Sequence, residues 1–295
     1  MSLSIEVRYA GESHSLTDGT YCVLGSIDSY AMPPVRRFEE RGPQQHGITD
    51  VGYRLDARVI TMTLWIYGDS LEDVDGKREA ILSWFSPANG DIALRLTLAD
   101  GSVREIVGNL QAGLAGAMAA GRGFAETLTL QFRCADPVFY DPVVDGIQSN
   151  LGGGTNAGSI PMAVPMSVGT DVVDWSGSVI YPGTWLTYPV IRLYGPITDW
   201  IIRNDSTDEE LDGTGDTIAD GDWYEFDCRY GYKTVKNQGG ANKLATLSAD
   251  SDLATFHIAP APEVAGGINA FSVSGSGAGV HTRIIITYYV RYLGI

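Results

Sequence analysis

The segment Gly68-Asp69-Ser70-Leu71 holds the serine that could most readily act as a nucleophile. It lies where an alternating segment gives way to a helical one, and a serine at such a turn can be exposed to an ester substrate. Serine needs an adjacent base to become nucleophilic, which an Asp-x-x-His pair late in the chain would supply. The sequence has no such pair, because four residues separate Asp252 from His257. Ser70 is therefore expected to cap a helix, and no catalytic residue and no enzyme activity are predicted.

Residues that could bind metal ions or phosphate are present, but their spacing does not support such sites. None of the histidines has metal-ligand spacing to another histidine or to a cysteine. They are His14, His46, His257 and His281. The acidic segment from Asp205 to Asp222 loosely matches one copy of a calcium-binding repeat, and one copy cannot form a stacked site, so a solvated turn is favoured. Gly152 to Gly158 lacks the Lys-Ser/Thr ending of a P-loop. We therefore predict no metal and no cofactor.

Tryptophans in the second half of the chain could form a surface that stacks on sugar rings. They are Trp175, Trp185, Trp200 and Trp223. Sandwich cores and protein interfaces use tryptophan as readily as sugar sites do. Sugar binding is therefore kept as an alternative function.

The first half of the sequence predicts strands around one helix. Apolar and polar residues alternate from Ile60 to Tyr67, which predicts a strand with one buried face. Ser70 can cap the helix that follows and Pro87 can end it. The apolar face of this helix is predicted at Leu71, Val74, Ile81, Leu82 and Phe85. Further strands are predicted at Ile92 to Leu98, Val103 to Val107 and Phe124 to Cys134. One helix among antiparallel strands indicates an α+β unit or a β-sandwich with one helix.

The last part of the sequence predicts strands without a helix of useful length. The predicted strands are Val190 to Tyr194, Ile197 to Arg203, Trp223 to Cys228, Leu253 to Ile258, Phe271 to Val273 and Val280 to Tyr292. Turn signals such as Asp212-Gly213 and Asp220-Gly221 separate them. This pattern is typical of a β-sandwich, so the predicted fold class is mainly β in both halves.

Composition excludes several classes of protein. The formal net charge of the 295-residue chain is −16, so the basic surface that nucleic-acid binding requires is not expected. No apolar run is long enough to span a membrane, and the N-terminus does not resemble a signal peptide. Three widely separated cysteines imply no disulfide framework. The composition therefore predicts a protein that is assembled in a reducing cytoplasm, binds no specific nucleic acid and makes no membrane contact.

Two segments lack the periodicity of packed structure. The stretch from Tyr30 to Tyr53 reads as a long loop, and loops of this length in compact domains are usually functional. It carries Arg36, Arg37 and Arg41, a cluster that is unusual in so acidic a chain. Arginine is enriched at interface hot spots, so these three are the candidate inter-subunit residues. Residues 142–187 are rich in Gly, Ser, Thr and Pro and are predicted to be a linker with irregular strands.

A motif follows the strand that ends at Cys134. The sequence there is Ala135-Asp136-Pro137-Val138-Phe139-Tyr140-Asp141. It resembles the turn that closes the N-terminal domain in the distal tail proteins of siphophages, with Asp136, Pro137, Phe139 and Tyr140 as the matching positions. The order of strand, helix and Asp-Gly hairpin before it is also similar. In the second half, Tyr188 to Gly195 and Ile201 to Thr207 resemble further segments of that family.

The resemblance implies a two-domain hub of a phage tail. Residues 1–141 would form the ring-building domain and residues 142–295 a galectin-like β-sandwich. The family forms a hexameric ring, in which the loop from Tyr30 to Tyr53 could embrace the neighbouring subunit. The implied role is a structural virion protein that joins the tail tube to the tail tip or baseplate.

The resemblance implies that the partners are further copies of this chain in a homo-hexamer, the tail tube protein, the tail-tip or hub protein and the tape-measure protein. The implied localisation is the virion tail, with assembly in the host cytoplasm. The alternative function is a carbohydrate-binding module on the virion, which would use the aromatic residues of the second domain.

Overall fold

The computed structural model describes residues 3–116, 124–151 and 173–295. The chain divides into two compact units, one formed by residues up to 142 together with 292–295 and the other by residues 143–291. Antiparallel strands make up most of both units, and the described residues contain one α-helix. The predicted fold class, mainly β with one helix in the first half, is confirmed. None of the described helices is both long and apolar enough to cross a membrane.

The first unit contains the helix α1, Leu71–Trp84, two larger sheets and a separate two-stranded hairpin. Its strands are β1 Ser4–Tyr9, β2 Glu12–Ser15, β3 Val23–Asp28, β4 Val35–Glu40, β5 Thr49–Leu55, β6 Arg58–Tyr67, β7 Ile92–Thr97, β8 Val103–Gly116, β9 Ala125–Cys134 and β10 Phe139–Asn150, the last of which continues into the second unit. The long strand β8 pairs with β7 along its first part and with β9 along its later part. One sheet therefore runs β10-β8-β7-β1-β2 and the other β3-β6-β9-β8.

The core of the first unit follows the alternation seen in the sequence. Ile60, Met62, Leu64 and Ile66 of β6 are fully buried, as the period-two pattern predicts. Burying such side chains contributes about 1.5–3 kcal/mol each, which fixes the register of the strand. The apolar residues of β1, β7 and β9 join the same cluster, so the two sheets enclose one core.

Helix α1 begins where the sequence predicts. Ser70 has extended backbone angles, and its Oγ accepts a hydrogen bond from the backbone N–H of Asp73 at 3.2 Å. The buried positions of the predicted apolar face are Val74, Ile81 and Phe85. Leu71 and Leu82, predicted to lie on that face, are instead exposed, and Trp84 is buried. The buried face is therefore centred closer to the C-terminal end of the helix than the sequence pattern indicates.

The segment from Tyr30 to Tyr53 is not an irregular loop. Strands β4 and β5 form an antiparallel hairpin that is a two-stranded sheet of its own. Every residue of β4 is exposed. The prediction was wrong because periodicity reveals a strand only when one face is buried, whereas this hairpin is held by backbone pairing with both faces open.

The second unit contains two further sheets. Its strands are β11 Val173–Ile180, β12 Val190–Tyr194, β13 Ile197–Asn204, β14 Glu209–Ile218, β15 Trp223–Asp227, β16 Thr234–Asn237, β17 Ile268–Ser276 and β18 Arg283–Tyr292. One sheet runs β11-β17-β13-β14, and the other runs β16-β15-β12-β18-β10. Trp200 of the first sheet packs on Phe226 of the second with ring centroids 5.2 Å apart. The two sheets thus face each other across an aromatic core, as in a β-sandwich.

Parts of the second half differ from the sequence prediction. Residues 142–150 and 173–180 lie in the regular strands β10 and β11, while the glycine-rich Gly152 to Gly158 lies outside the described residues. The predicted strand from Leu253 to Ile258 is a series of turns joined to Thr187 by an isolated bridge at Ile258. Its buried apolar residues, Leu253, Phe256 and Ile258, do not alternate regularly through the segment, so burial and not strand pairing explains the pattern.

Candidate functional site

A buried arginine connects three separate parts of the first unit. Arg58, at the start of β6, is fully buried. Its Nε donates to the carbonyl of Pro137 at 2.7 Å, its Nη1 donates to Ser29 at 3.0 Å, and its Nη2 donates to the carbonyl of Leu293. The guanidinium also lies over the ring of Phe139, 4.8 Å from its centroid. The approach to the hairpin, the turn after β9 and the C-terminal segment are therefore held by one side chain.

Arg58 is charged without a carboxylate partner among the described residues. Burial lowers the pKa of its guanidinium, although arginine remains protonated at neutral pH. Carbonyl dipoles therefore supply the compensation that an acidic group usually gives. Sequence reasoning missed this residue. The available signal was a charged residue two positions before Ile60, where the most regular alternation of apolar and polar residues begins.

The four motif residues that resemble the siphophage family have structural contacts. Pro137 and Phe139 contact the Arg58 guanidinium as described. Tyr140 donates from its hydroxyl to Glu105 at 2.8 Å, and the backbone N–H of Val138 lies 3.5 Å from Asp136 Oδ1. These contacts close the first unit between β9 and β10.

The hairpin of β4 and β5 is called here the arm. Its three candidate arginines make different contacts. Arg37 forms an ion pair with Asp50 inside the arm. Arg41 donates to the carbonyl of Gln45 at 3.4 Å. Arg36 lies directly across from Arg54 in the pairing of β4 and β5. Within the described parts of the chain, no carboxylate lies within ion-pairing distance of Arg36 or Arg41, so these two guanidinium groups can bind carboxylates from elsewhere.

One face of the arm carries several exposed apolar side chains, with Arg37 paired across from Tyr53 among them. Val51, Tyr53 and Leu55 alternate along β5, and Val35 lies across from Leu55 on the same face. The relative exposure of Val51 is 58% and that of Tyr53 is 57%. Large apolar side chains exposed together are typical of a protein interface. The arm therefore has the composition of an interaction surface, and its exposed apolar residues remain uncovered by the described parts of the chain.

Groups that could support chemistry are occupied by structural contacts. The Ser70 hydroxyl caps α1, as described above. The three cysteines are buried and free, and burial raises the pKa of each thiol to about 12. Across the described residues, no group of three or more His, Cys, Asp or Glu side chains is arranged to hold a metal ion.

The acidic segment from Asp205 to Asp222 contains an ordered hairpin strand. Most of it is β14, which pairs with β13. Arg203 lies within ion-pairing distance of Asp205, Asp208 and Glu210 around the connecting turn. The segment is therefore not only the solvated turn that the sequence favoured, because its charges are partly neutralised by one arginine.

The tryptophans of the second half do not share one surface. Trp200 is fully buried against Gly213, where a Cβ atom would meet the indole at 2.1 Å. Trp175 and Trp185 are half-buried on and beside β11. Trp223 lines a cavity of about 350 Å³ together with Tyr194 and Arg283. The buried Trp200 therefore cannot contribute to a surface that stacks on sugar rings.

Comparisons with known proteins agree with this architecture. Residues 15–102 match the family model of the phage tail protein RIFT-related domain. The chain is similar in fold to the Dit protein of phage SPP1, described as a paradigm of the hub adsorption apparatus in phages that infect Gram-positive bacteria. The TM-score is 0.65 at 16% identity, covering 96% of this chain and 98% of the SPP1 chain.

A second similar structure is a chain of the phage P2 baseplate in its activated conformation with Ca. Its TM-score is 0.50 at 9% identity, covering 97% of this chain and 98% of that chain. No curated protein sequence gives a significant match. The family match over residues 15–102 and the fold shared with the SPP1 Dit protein agree with the resemblance to siphophage distal tail proteins.

Proposed function

We propose that this chain forms the distal hub ring of a long-tailed phage, joining the tail tube to the tail tip or baseplate. The phage tail domain at residues 15–102 and the fold shared with a hub protein support this role. The observation that carries the proposal is the arm, whose apolar face is exposed. Burying Val51 and Tyr53 against a neighbouring copy would remove a large apolar area from water.

The ring would close by contact between the arm and the adjacent subunit. The formal net charge of −16 supplies carboxylates on each neighbour, and no carboxylate of the described residues pairs with Arg36 or Arg41. Arginine binds carboxylates in a bidentate geometry that also fixes orientation. A ring of six copies is the expected assembly, because the family resemblance implies that number.

No chemical step is assigned to any residue. The function rests on shape and interfaces, with the tail tube protein, a tail-tip or hub protein and a tape-measure protein as the proposed partners. A predominantly acidic surface repels the phosphate backbone of DNA, which suits a ring through which DNA must pass.

The experiment compares the assembly state of two double variants by light scattering and electron microscopy. Val51→Asp with Tyr53→Asp places charge on the apolar face of the arm and should prevent ring closure while the monomer stays folded. Ile180→Asp with Val280→Asp is the matched control, because these residues are 71% and 79% exposed in the second unit. The control should form rings like the parent protein.

Rings of unchanged size in the arm variant would contradict the proposed role of the arm. A parent protein that remains monomeric at concentrations near those of an assembled tail, alone and with its tail partners, would contradict the hub function itself.

A further inference from the structure

The cavity beside Trp223 is lined by side chains from three neighbouring strands of the second unit, β15, β12 and β18. Tyr194 of β12 pairs with Trp223 of β15 on one side and with Arg283 of β18 on the other. Residues paired across antiparallel strands point to the same face of the sheet. The three side chains therefore stand together, and Gln238 and Asp222 complete the wall of the cavity. Its volume, about 350 Å³, falls in the range of small-molecule sites.

Arg283 supplies a guanidinium to the lining of this cavity, which also contains the carboxylate of Asp222. Its guanidinium carbon lies 3.7 Å from the centroid of the Tyr194 ring. No carboxylate of the described chain lies within ion-pairing distance of it. Arg192, two residues before Tyr194 on β12, instead binds Glu225 at 2.7 Å. The formal net charge of the chain is −16, so a guanidinium that stacks on a ring without binding a described carboxylate is unusual. Its N–H groups can donate hydrogen bonds to an anion from outside the chain.

The remaining lining groups favour a ligand with hydroxyls and an apolar face. Asp222 Oδ1 accepts hydrogen bonds from the backbone N–H of Trp223 at 2.8 Å and of Gln238 at 3.3 Å, which fixes the carboxylate in place. Its second oxygen can accept from a hydroxyl. His281, at the rim, is bound to Asp220 at 2.9 Å. The half-buried indole of Trp223 lines the cavity, and the Arg192 guanidinium lies over its ring, 5.0 Å from the centroid. The part of the indole that Arg192 does not cover can supply an apolar wall for a sugar ring.

We propose that this cavity binds a pyranose that carries an anionic substituent. The anion would bind the Arg283 guanidinium, the C–H face of the ring would pack on Trp223, and a hydroxyl would donate to Asp222. The anion can be a carboxylate or a phosphate, because a guanidinium binds both in the same bidentate manner. The proposal goes beyond the hub function and does not require ring formation.

Saturation-transfer NMR on the full chain tests the proposal, because the signal is read from the ligand and tolerates a large assembly. The probes are glucuronate, glucose 6-phosphate and neutral glucose. We expect saturable transfer in the millimolar range for at least one anionic sugar, and binding at least about 10-fold weaker for glucose, since a charge-assisted bidentate contact is lost. The two anionic probes distinguish a carboxylate ligand from a phosphate ligand.

Two variants locate the binding. Arg283→Gln removes the charge at the cavity and should weaken binding of the anionic sugar at least about 10-fold. Arg203→Gln is the matched control, because Arg203 is an arginine of the same unit whose side chain pairs with carboxylates on β14 and its turn. It should leave binding unchanged. Arg283→Lys keeps the charge with less disturbance to packing and should bind with intermediate affinity.

Several results would overturn the proposal. They are the absence of saturable transfer for both anionic sugars, equal binding of glucose, and equal loss of binding in Arg203→Gln and Arg283→Gln.

Discussion

At the scale of single residues, His257 illustrates how two carboxylates hold one imidazole. Its Nδ1 lies 2.9 Å from Glu209 Oε2, and its Nε2 lies 3.0 Å from Glu263 Oε1. Burial alone would lower the pKa of His257, but the bonds to Glu209 and Glu263 outweigh it and raise the pKa to about 9. The His257 backbone N–H also donates to Glu209 at 2.9 Å. The protonated imidazole is therefore a structural ion in the second unit.

Stability should consequently depend on pH through His257. Because its pKa is higher in the folded protein than in the unfolded chain, its contribution is fully present below pH 6.5 and is lost as the pH rises through about 9. The free energy of unfolding of the second unit should fall over this range by on the order of 2 kcal/mol. Denaturant unfolding at several pH values measures this.

The variant His257→Gln should lose most of that pH dependence. The variant His46→Gln changes an exposed histidine and should keep it. An unchanged pH profile in His257→Gln would show that another group titrates.

Arg58 allows a second prediction at this scale. Arg58→Met removes the donors to the carbonyls of Pro137, Ser29 and Leu293 and should destabilise the first unit by about 3 kcal/mol, because buried acceptors are left unsatisfied. Arg133→Met, an exposed substitution on the adjacent strand β9, should cost less than about 0.5 kcal/mol. Urea denaturation of both variants provides the comparison, and equal stability would show that Arg58 is not an anchor.

At the scale of elements, ring closure through the arm should depend on Arg36 and Arg41. Changing Arg36 and Arg41 together to Glu should weaken ring closure by adding like charge against an acidic neighbour. The melting transition of the monomer should hardly change, because neither side chain is buried. Raising the salt concentration should weaken assembly of the parent protein in the same direction, since exposed pairs are screened. Light scattering across a salt series measures both effects.

The control for this prediction is Lys236→Glu, which reverses an exposed charge in the second unit. Assembly that is equally impaired in the control would mean that net charge, and not the arm, governs ring closure.

The same elements show what the sequence could predict. Strand β6 and the start of α1 were predictable because burial on one side produces alternation and because a cap needs a particular residue type. The arm was missed because its strands bury neither face. The anchor Arg58 and the cavity residue Arg283 were missed for another reason. Their roles depend on contacts between residues far apart in sequence, such as Arg58 with Leu293, which no local spacing encodes.

At the scale of the whole molecule, the first unit is expected to need the end of the chain. Tyr292 and Ile295 pack against its core, and the Leu293 carbonyl accepts from Arg58. A fragment of residues 1–142 should therefore melt at a lower temperature than the same fragment joined to residues 292–295 by a short glycine linker. Tyr288 donates to Asp145 at 3.1 Å. The chain just after residue 142 and the chain just before residue 292 therefore lie close together, so a short linker can join residue 142 to residue 292.

Calorimetry of the two fragments tests this expectation. Replacing Leu293 by glycine in the joined fragment serves as a control, because it keeps the backbone carbonyl that Arg58 binds. Equal melting temperatures with and without residues 292–295 would show that the first unit is complete at residue 142.

The division of the chain also has a consequence for the order in which the protein is made. Residues 143–291 are inserted between two parts of one folding unit. The ribosome must therefore synthesise the entire inserted unit before residues 292–295 can reach Arg58. During that interval the Arg58 side chain lacks the Leu293 carbonyl. If ring formation needs a completed first unit, nascent chains on neighbouring ribosomes are prevented from associating before translation has passed the insertion.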